Sequence, residues 1–240
     1  MQGSMRRELI RQKFNLCYSD HQHETFVNFR KTFLDFNKHT NLISKNDQEL
    51  FYEKHVFDSL SLSLFFAKYD IPENSTILDI GTGGGFPSVP LSIAFPDFKI
   101  VAVDSIKKKI DFIDMIKNKL SLENITPICA RVEDSQDLKK ESFDVVTTRA
   151  LADLRVILEY GLPFVKKGGY FVAYKSQKID EEIENAKNAI KILGGKIVEK
   201  IPYSLPIAQN HERFLLVIKK IKTTPKIYPR KNGQAKKNPL

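Results

Sequence analysis

Residues 78–87 read Leu-Asp-Ile-Gly-Thr-Gly-Gly-Gly-Phe-Pro, and this run restricts the fold more than any other part of the chain. Four of the chain's eleven glycines fall within its last seven residues. They follow an apolar strand directly and precede a segment with proline at a favourable first-turn position, so they mark a strand–loop–helix junction. Glycine is required where backbone approaches a ligand closely or takes positive φ. A dinucleotide fingerprint needs G-x-G-x-x-G, whereas Gly81, Gly83 and Gly85 give G-x-G-x-G, with Phe86 at the position of the third fingerprint glycine. The lysine of a phosphate loop is absent as well. Asp79, two residues before the first glycine, would repel a pyrophosphate but favours a ligand carrying positive charge, such as the sulfonium and ammonium of S-adenosylmethionine.

The rest of the chain supplies the frame for that junction. Short apolar strands are expected at 76–80, 100–104, 125–130, 144–148 and 170–174, separated by helical segments. The clearest helix runs from Ile106 to Leu120 and keeps Ile106, Ile110, Ile113, Ile116 and Leu120 on one face. Alternating strands and helices imply βαβ units and a mostly parallel sheet, which binds ligands at the carboxyl ends of its strands. Near the end the alternation stops. A helix over 180–193 is followed by a strand at 196–201, a short proline-containing connection and another strand at 213–218, with no room for a helix between them. These two strands are expected to pair antiparallel as a hairpin-like edge. The fold class is therefore α/β, a Rossmann-like class I methyltransferase sheet, mostly parallel with an antiparallel last strand. Ahead of it, Phe26, Phe29, Phe33 and Phe36 recur at helical spacing and a second amphipathic stretch covers about 49–69. The expected organisation is a helical extension at 1–72 packed on the core, a cofactor-binding domain at 73–222 and a basic, irregular tail at 223–240.

Charge is placed unevenly. The net charge is +9, and eight Lys or Arg with no acid lie between Lys219 and Leu240, leaving the body about neutral. A basic tail on a neutral body suits an anionic polymer such as RNA, with a merely solvated terminus as the alternative. Two cysteines, Cys17 and Cys129, provide neither a disulfide framework nor metal spacing, so no metal is expected. No apolar run reaches the roughly 18 residues needed to span a membrane, and no signal-peptide pattern is present. The expectation is a cytoplasmic protein, acting as a monomer. Met1-Gln2-Gly3-Ser4 ahead of Met5 reads as a tag scar.

Asp104 ends the second strand, twenty-five residues after Asp79. There a carboxylate can accept hydrogen bonds from both ribose hydroxyls, or alternatively cap the helix that follows. The third strand leads into Arg131-Val132-Glu133-Asp134, where Val132 can pack on an adenine and neighbouring polar groups can read its edge.

In order along the chain, the pieces Asn41-Leu42-Ile43-Ser44, His55-Val56-Phe57-Asp58-Ser59-Leu60, LDIGTGGGFPSVPLSIAFPD, Val103-Asp104-Ser105, Ala130-Arg131-Val132-Glu133, Thr148-Arg149-Ala150 and Lys226-Ile227-Tyr228-Pro229-Arg230-Lys231 resemble the bacterial 16S ribosomal RNA guanine-N7 methyltransferases, the glucose-inhibited division protein B family. The resemblance covers nearly the whole chain. It implies cofactor contacts at Gly81, Phe86, Asp104, Val132, Glu133 and Arg149, to which the residues themselves add Asp79, Gly83 and Gly85. It implies S-adenosyl-L-methionine as cofactor and 16S rRNA or the small ribosomal subunit as partner. Two departures stand out: Ser88 occupies a usual glycine position, and Tyr174-Lys175-Ser176 replaces a usual Leu-Lys-Gly.

Guanine N7 carries a lone pair and no proton, so this chemistry needs no general base. Consistently, the chain has neither an Asn/Asp-Pro-Pro-Tyr/Phe motif nor a Pro-Cys pair. Arg149 and Lys175 are the expected substrate-positioning residues, Arg149 toward guanine O6, the cofactor or a phosphate, and Lys175 toward an RNA phosphate. Lys226, Tyr228, Arg230 and Lys231 are the expected RNA contacts of the tail. His55 joins them, with a helix-packing cluster of His55, Asp58 and Ser59 as the open alternative. Two other functions compete: an RNA-binding ribosome-assembly factor without catalysis, and an NAD-dependent oxidoreductase.

Overall fold

The computed structural model describes residues 16–40, 42–149, 152–205 and 212–240. Asn41 and Ala150, each part of a family-like motif, and Pro206 of the connection before Arg213 lie outside the described residues. The apolar runs become β1 (Thr76–Ile80), β2 (Lys99–Asp104), β3 (Ile125–Cys129), β4 (Phe143–Thr148), β5 (Val165–Lys175), β6 (Gly195–Tyr203) and β7 (Arg213–Lys220). They form one seven-stranded sheet in the order β3-β2-β1-β4-β5-β7-β6. β1 pairs in parallel with both β2 and β4, so strand order reverses on either side of β1 and opens a crevice at its carboxyl end. β7 runs antiparallel to β5 and to β6. The final pair forms the expected antiparallel edge hairpin, with β7 on its inner side against β5 and β6 outermost.

Helices cover both faces. α1 (Asp20–Thr40), α2 (Lys45–Glu49), a π-helical turn at Phe51–Phe57 running directly into α3 (Asp58–Leu60), and α4 (Ser63–Lys68) precede the sheet. α5 (Ser88–Ala94), α6 (Lys107–Leu120), α7 (Leu154–Gly161), α8 (Ile179–Ile192) and the short α9 (Gln234–Lys237) follow. The phenylalanine stripe of α1 packs inward as its spacing predicts. Phe26, Phe29 and Phe33 are buried and Phe36 partly so. Phe33 lies 5.3 Å from Phe86 and 5.3 Å from Phe112, ring centre to ring centre. Burying each such ring contributes about 1.5–3 kcal/mol, which ties the N-terminal helices to the glycine loop and to α6. A second core on the other face of the sheet joins α7, α8 and the end of the chain, where Ala235 is fully buried. Among the described residues, no helix is long and apolar enough to cross a membrane.

Candidate active site

At the end of β1 the chain turns sharply. The amides of Gly81 and Thr82 both donate to the Val103 carbonyl, at 2.8 and 3.0 Å, lashing the loop across the end of β2. Gly83 takes φ +59° and donates its amide to Asp104 Oδ2 at 3.0 Å. At Gly85, with φ +88°, a Cβ would stand 2.7 Å from Val89 Cγ2, so glycine there lets α5 close against the loop. Asp104 Oδ1 accepts the Ile106 amide at 2.9 Å, closing a turn just ahead of α6 rather than capping it, since the N-cap residue is Ile106, while Oδ2 also faces Lys109 Nζ at 3.3 Å. The same carboxylate lines a cavity of about 280 Å³ with Gly81, Val132, Glu133, Tyr160 and Lys236. Turn closure and ribose binding are therefore compatible in one side chain.

Asp79 lies beneath this loop, fully buried. Ser88 Oγ donates to its Oδ2 at 2.5 Å, and Thr82 Oγ1 bonds Ser88 Oγ at 3.0 Å. Ser88, unusual for the family pattern, thus supplies a hydroxyl to the buried acid. Asp79 Oδ1 has no partner. Burial raises the Asp79 pKa to about 6, against the hydroxyls of Ser88 and Thr82 and the charge of Arg149, which lower it. An orphaned carboxylate oxygen, a glycine loop and an acid beside an apolar wall fit a nucleoside cofactor that carries positive charge.

On the β4 side the site changes character. Arg149 follows β4, and its Nη1 bonds Asp58 Oδ2 at 2.9 Å and the Lys54 carbonyl at 3.1 Å. Its Nη2 lies 3.1 Å from His55 Nδ1. Asp58 Oδ1 accepts Tyr203 Oη at 2.7 Å and Arg213 Nη1 at 3.2 Å. One buried aspartate therefore gathers the N-terminal helices, β4, β6 and β7. Desolvation and the Arg149 charge lower the His55 pKa to about 4, so the ring is neutral at pH 7. Lys175 Nζ meets Glu182 Oε2 at 2.6 Å, and Tyr174 Oη donates to the Ser59 carbonyl at 2.7 Å. These side chains line a cavity of about 560 Å³.

Placement differs from expectation at several positions. Gly81, Asp104, Val132 and Glu133 meet at the smaller cavity, and His55, Arg149 and Lys175 at the larger. Phe86, expected to touch the cofactor, is a core ring: Phe29, Phe33, Phe51 and His55 surround it and the Arg149 guanidinium lies 5.2 Å from its centre. His55 is part of the packing network around Arg149 rather than an open RNA contact. Arg230 spends its guanidinium on the fully buried Glu159, Nε to Oε1 at 2.8 Å and Nη2 to Oε2 at 2.6 Å. Tyr228 leans on the second core with Arg230 5.9 Å from its ring centre. Only Lys226 and Lys231 of the expected tail contacts are exposed. Sequence reasoning missed Lys109, Tyr160, Tyr203, Arg213 and Lys236. Arg213 opens an apolar strand, which is a usable signal; the others give none.

Comparison with known proteins agrees with this geometry. The model of the family described as rRNA small subunit methyltransferase G matches residues 22–211. A relative from Lachnoclostridium phytofermentans named ribosomal RNA small subunit methyltransferase G is 44% identical over 222 residues, covering 92% of this chain and 90% of its own. A Lactobacillus acidophilus relative of the same name is 39% identical, with 95% of each chain covered. Among solved structures, M. jannaschii TYW2 in complex with AdoMet superposes with a TM-score of 0.53 at 18% identity, covering 64% of this chain and 72% of its own, which supports the fold. The chain belongs to the rRNA small subunit methyltransferase G family.

Proposed function

We propose that this protein transfers a methyl group from S-adenosyl-L-methionine to N7 of a guanine in 16S rRNA of the small ribosomal subunit. One observation carries the reading: the Asp104 carboxylate shares a cavity with Gly81, Val132 and Glu133, directly beside the glycine loop that covers the unpartnered oxygen of Asp79. In this reading Asp104 holds the ribose diol, Val132 packs on the adenine, and Asp79, buried beneath the loop and lining neither cavity, acts on the positive end of the methionine part through its charge alone. The cofactor supplies an electrophilic methyl group. The chain's residues have only to position the acceptor in line with it and to tolerate positive charge arriving on the purine. Arg149 lines the larger cavity and holds its fork in place through Asp58, Lys54 and His55. Its guanidinium suits guanine O6 or the cofactor carboxylate, and Lys175 suits a phosphate. The neutral His55 adds no competing cation. Relatives named ribosomal RNA small subunit methyltransferase G support the substrate class. We place the enzyme in the cytoplasm as a monomer, with 1–72 as helical extension, 73–222 as catalytic domain and 223–240 as C-terminal segment.

A non-catalytic RNA-binding role is the second reading. Its support is the set of cations that lines the larger cavity, Lys54, Arg149, Lys175 and Arg213, each paired with an internal carboxylate that an RNA phosphate would have to displace. Labelled S-adenosylmethionine offered with naked 16S rRNA and with 30S particles, both from cells lacking the gene, separates the two. Label on a single guanine, mapped as 7-methylguanosine, is expected. RNA binding with no transfer to either substrate would establish the second reading, and label on another atom would revise the first.

A further inference from the structure

The residues after Lys222 look like an RNA-attracting tail in sequence, yet they are built into the body. Lys140 Nζ donates to the carbonyls of Lys226 and Tyr228, at 3.0 and 2.5 Å. Arg230 docks on Glu159 of α7 through both its guanidinium and its backbone amide, the latter at 2.9 Å, and reaches on to the Asn238 carbonyl at 2.8 Å. Because Glu159 is fully buried, this bidentate pair is a fixed anchor, and losing either partner would strand a charge. Beyond the anchor, α9 packs on α7, and Ala235 has no exposed surface. Tyr228 and Leu240 lie on the same second core that holds Ile80, Val103, Val132 and Tyr160. Lys236, the residue after buried Ala235, then lines the smaller cavity with Asp104, Val132 and Glu133.

We propose that the C-terminal segment is a wall of the adenosine cavity and that Lys236 is a cofactor-affinity residue. This rests on the reading of that cavity as the S-adenosylmethionine site. Lysine suits the position because its aliphatic stem can cover an apolar ring while the ammonium stays at the rim and donates to a ring nitrogen of adenine, an acceptor. A ligand that touches the docked segment necessarily stabilises docking by the same free energy that docking adds to binding. The segment also displays the exposed Lys226 and Lys231. Cofactor occupancy is thereby linked to the order of a basic surface, which the sequence alone assigns to RNA.

Calorimetric titration of the full chain with S-adenosylhomocysteine tests this. Lys236→Ala is expected to weaken binding about three- to tenfold and Lys236→Met, which keeps the stem, by less. Ala235→Glu, which undocks α9, is expected to weaken it by about tenfold or more; Lys236→Ala remains informative if that variant misfolds. Trypsin should release fragments beyond Arg230 more slowly once the wild-type chain is saturated. Unchanged affinity in Lys236→Ala and Ala235→Glu, beside weakened binding in Asp104→Ala, overturns the wall alone. A wild-type chain with no saturable binding overturns the cofactor reading and the wall together.

Discussion

The cleft at the carboxyl edge of the sheet has two unlike halves. Toward β2 it is backbone and apolar side chains around an Asp104 carboxylate held by two amides, with Glu133, Lys109, Arg131 and Lys236 completing the lining. Toward β4 it is a lattice of charge, in which Asp58 alone meets Arg149, Tyr203 and Arg213. The first half is formed before any ligand arrives, because the loop amides are already bonded to the Val103 carbonyl and the Asp104 carboxylate. The second pairs its charged ends internally, leaving only His55 Nε2 and Arg213 Nε of its buried nitrogens without a partner, so an anionic substrate must exchange internal partners for its own phosphates. Binding on the β2 side is thus a matter of shape, and on the β4 side a matter of competition.

The sharpest way to break the contrast is to remove the hub. Asp58→Ala strands two guanidinium groups, one of them largely buried. It is expected to cost about 3 kcal/mol or more, read as a fall in Tm of roughly 6–12 °C. A change of less than about 2 °C would mean that the charges are solvated and the network is ornamental. On the other half, Asp104→Ala frees the Gly83 and Ile106 amides, so Tm is expected to fall by only a few degrees, less than in Asp58→Ala, while S-adenosylhomocysteine weakens about 10–100-fold, the worth of hydrogen bonds to a charged group. Equal affinity in calorimetry would remove the ribose assignment.

The two halves were not equally legible in the sequence. Residues 78–87 announce the loop, because a glycine requirement at an apolar strand end is local and leaves a local trace. β1 to β5 and the α1 stripe were legible for the same reason, since hydrophobic period reports burial directly. The π-helical turn at Phe51–Phe57 was not, because it keeps an apolar pattern while shifting register. Asp58 remained ambiguous because its partners lie 91, 145 and 155 residues away. The docking of the irregular C-terminal segment left no trace in the sequence for a related reason. Its anchor joins residues 71 apart, and a segment with Pro225, Pro229 and Gly233 carries no periodic signal of the contact Ala235 makes. Hydrophobic pattern reports burial but not pairing, and the β4 half is made of pairing.

A smaller effect concerns the exposed cations. Lys226→Gln with Lys231→Gln is expected to weaken RNA binding at low salt and to flatten the slope of log affinity against log salt by about 1–2, as two phosphate contacts would. Melting and cofactor affinity should stay unchanged. An unaltered slope would leave the larger cavity as the main source of RNA affinity.

The smallest effect sits under the loop and cuts across both halves. Asp79 has a folded pKa of about 6 against 3.8 for the free group, so between those values the folded state binds more protons than the unfolded. Stability therefore falls as pH rises through that window, and the full penalty persists above about pH 6. His55 does the opposite. Its pKa of about 4 lies below the ordinary 6.5, so from pH 4 to 6.5 stability rises with pH. The two slopes oppose each other in the wild-type chain. Asp79→Asn removes one of them and the buried charge with it. The variant should melt a few degrees higher at pH 7, a gain of about 1–2 kcal/mol, and that gain should vanish toward pH 4 as the His55 slope emerges alone. The cost should fall on function, because S-adenosylmethionine affinity in the wild type should decline below pH 6, where the carboxylate takes up a proton, and be weak and pH-independent in Asp79→Asn. A variant that gains stability while keeping full affinity would place the cofactor's positive charge away from Asp79, and would leave recognition in the β2 half to shape and to the hydrogen bonds of residues that line it, Asp104 first.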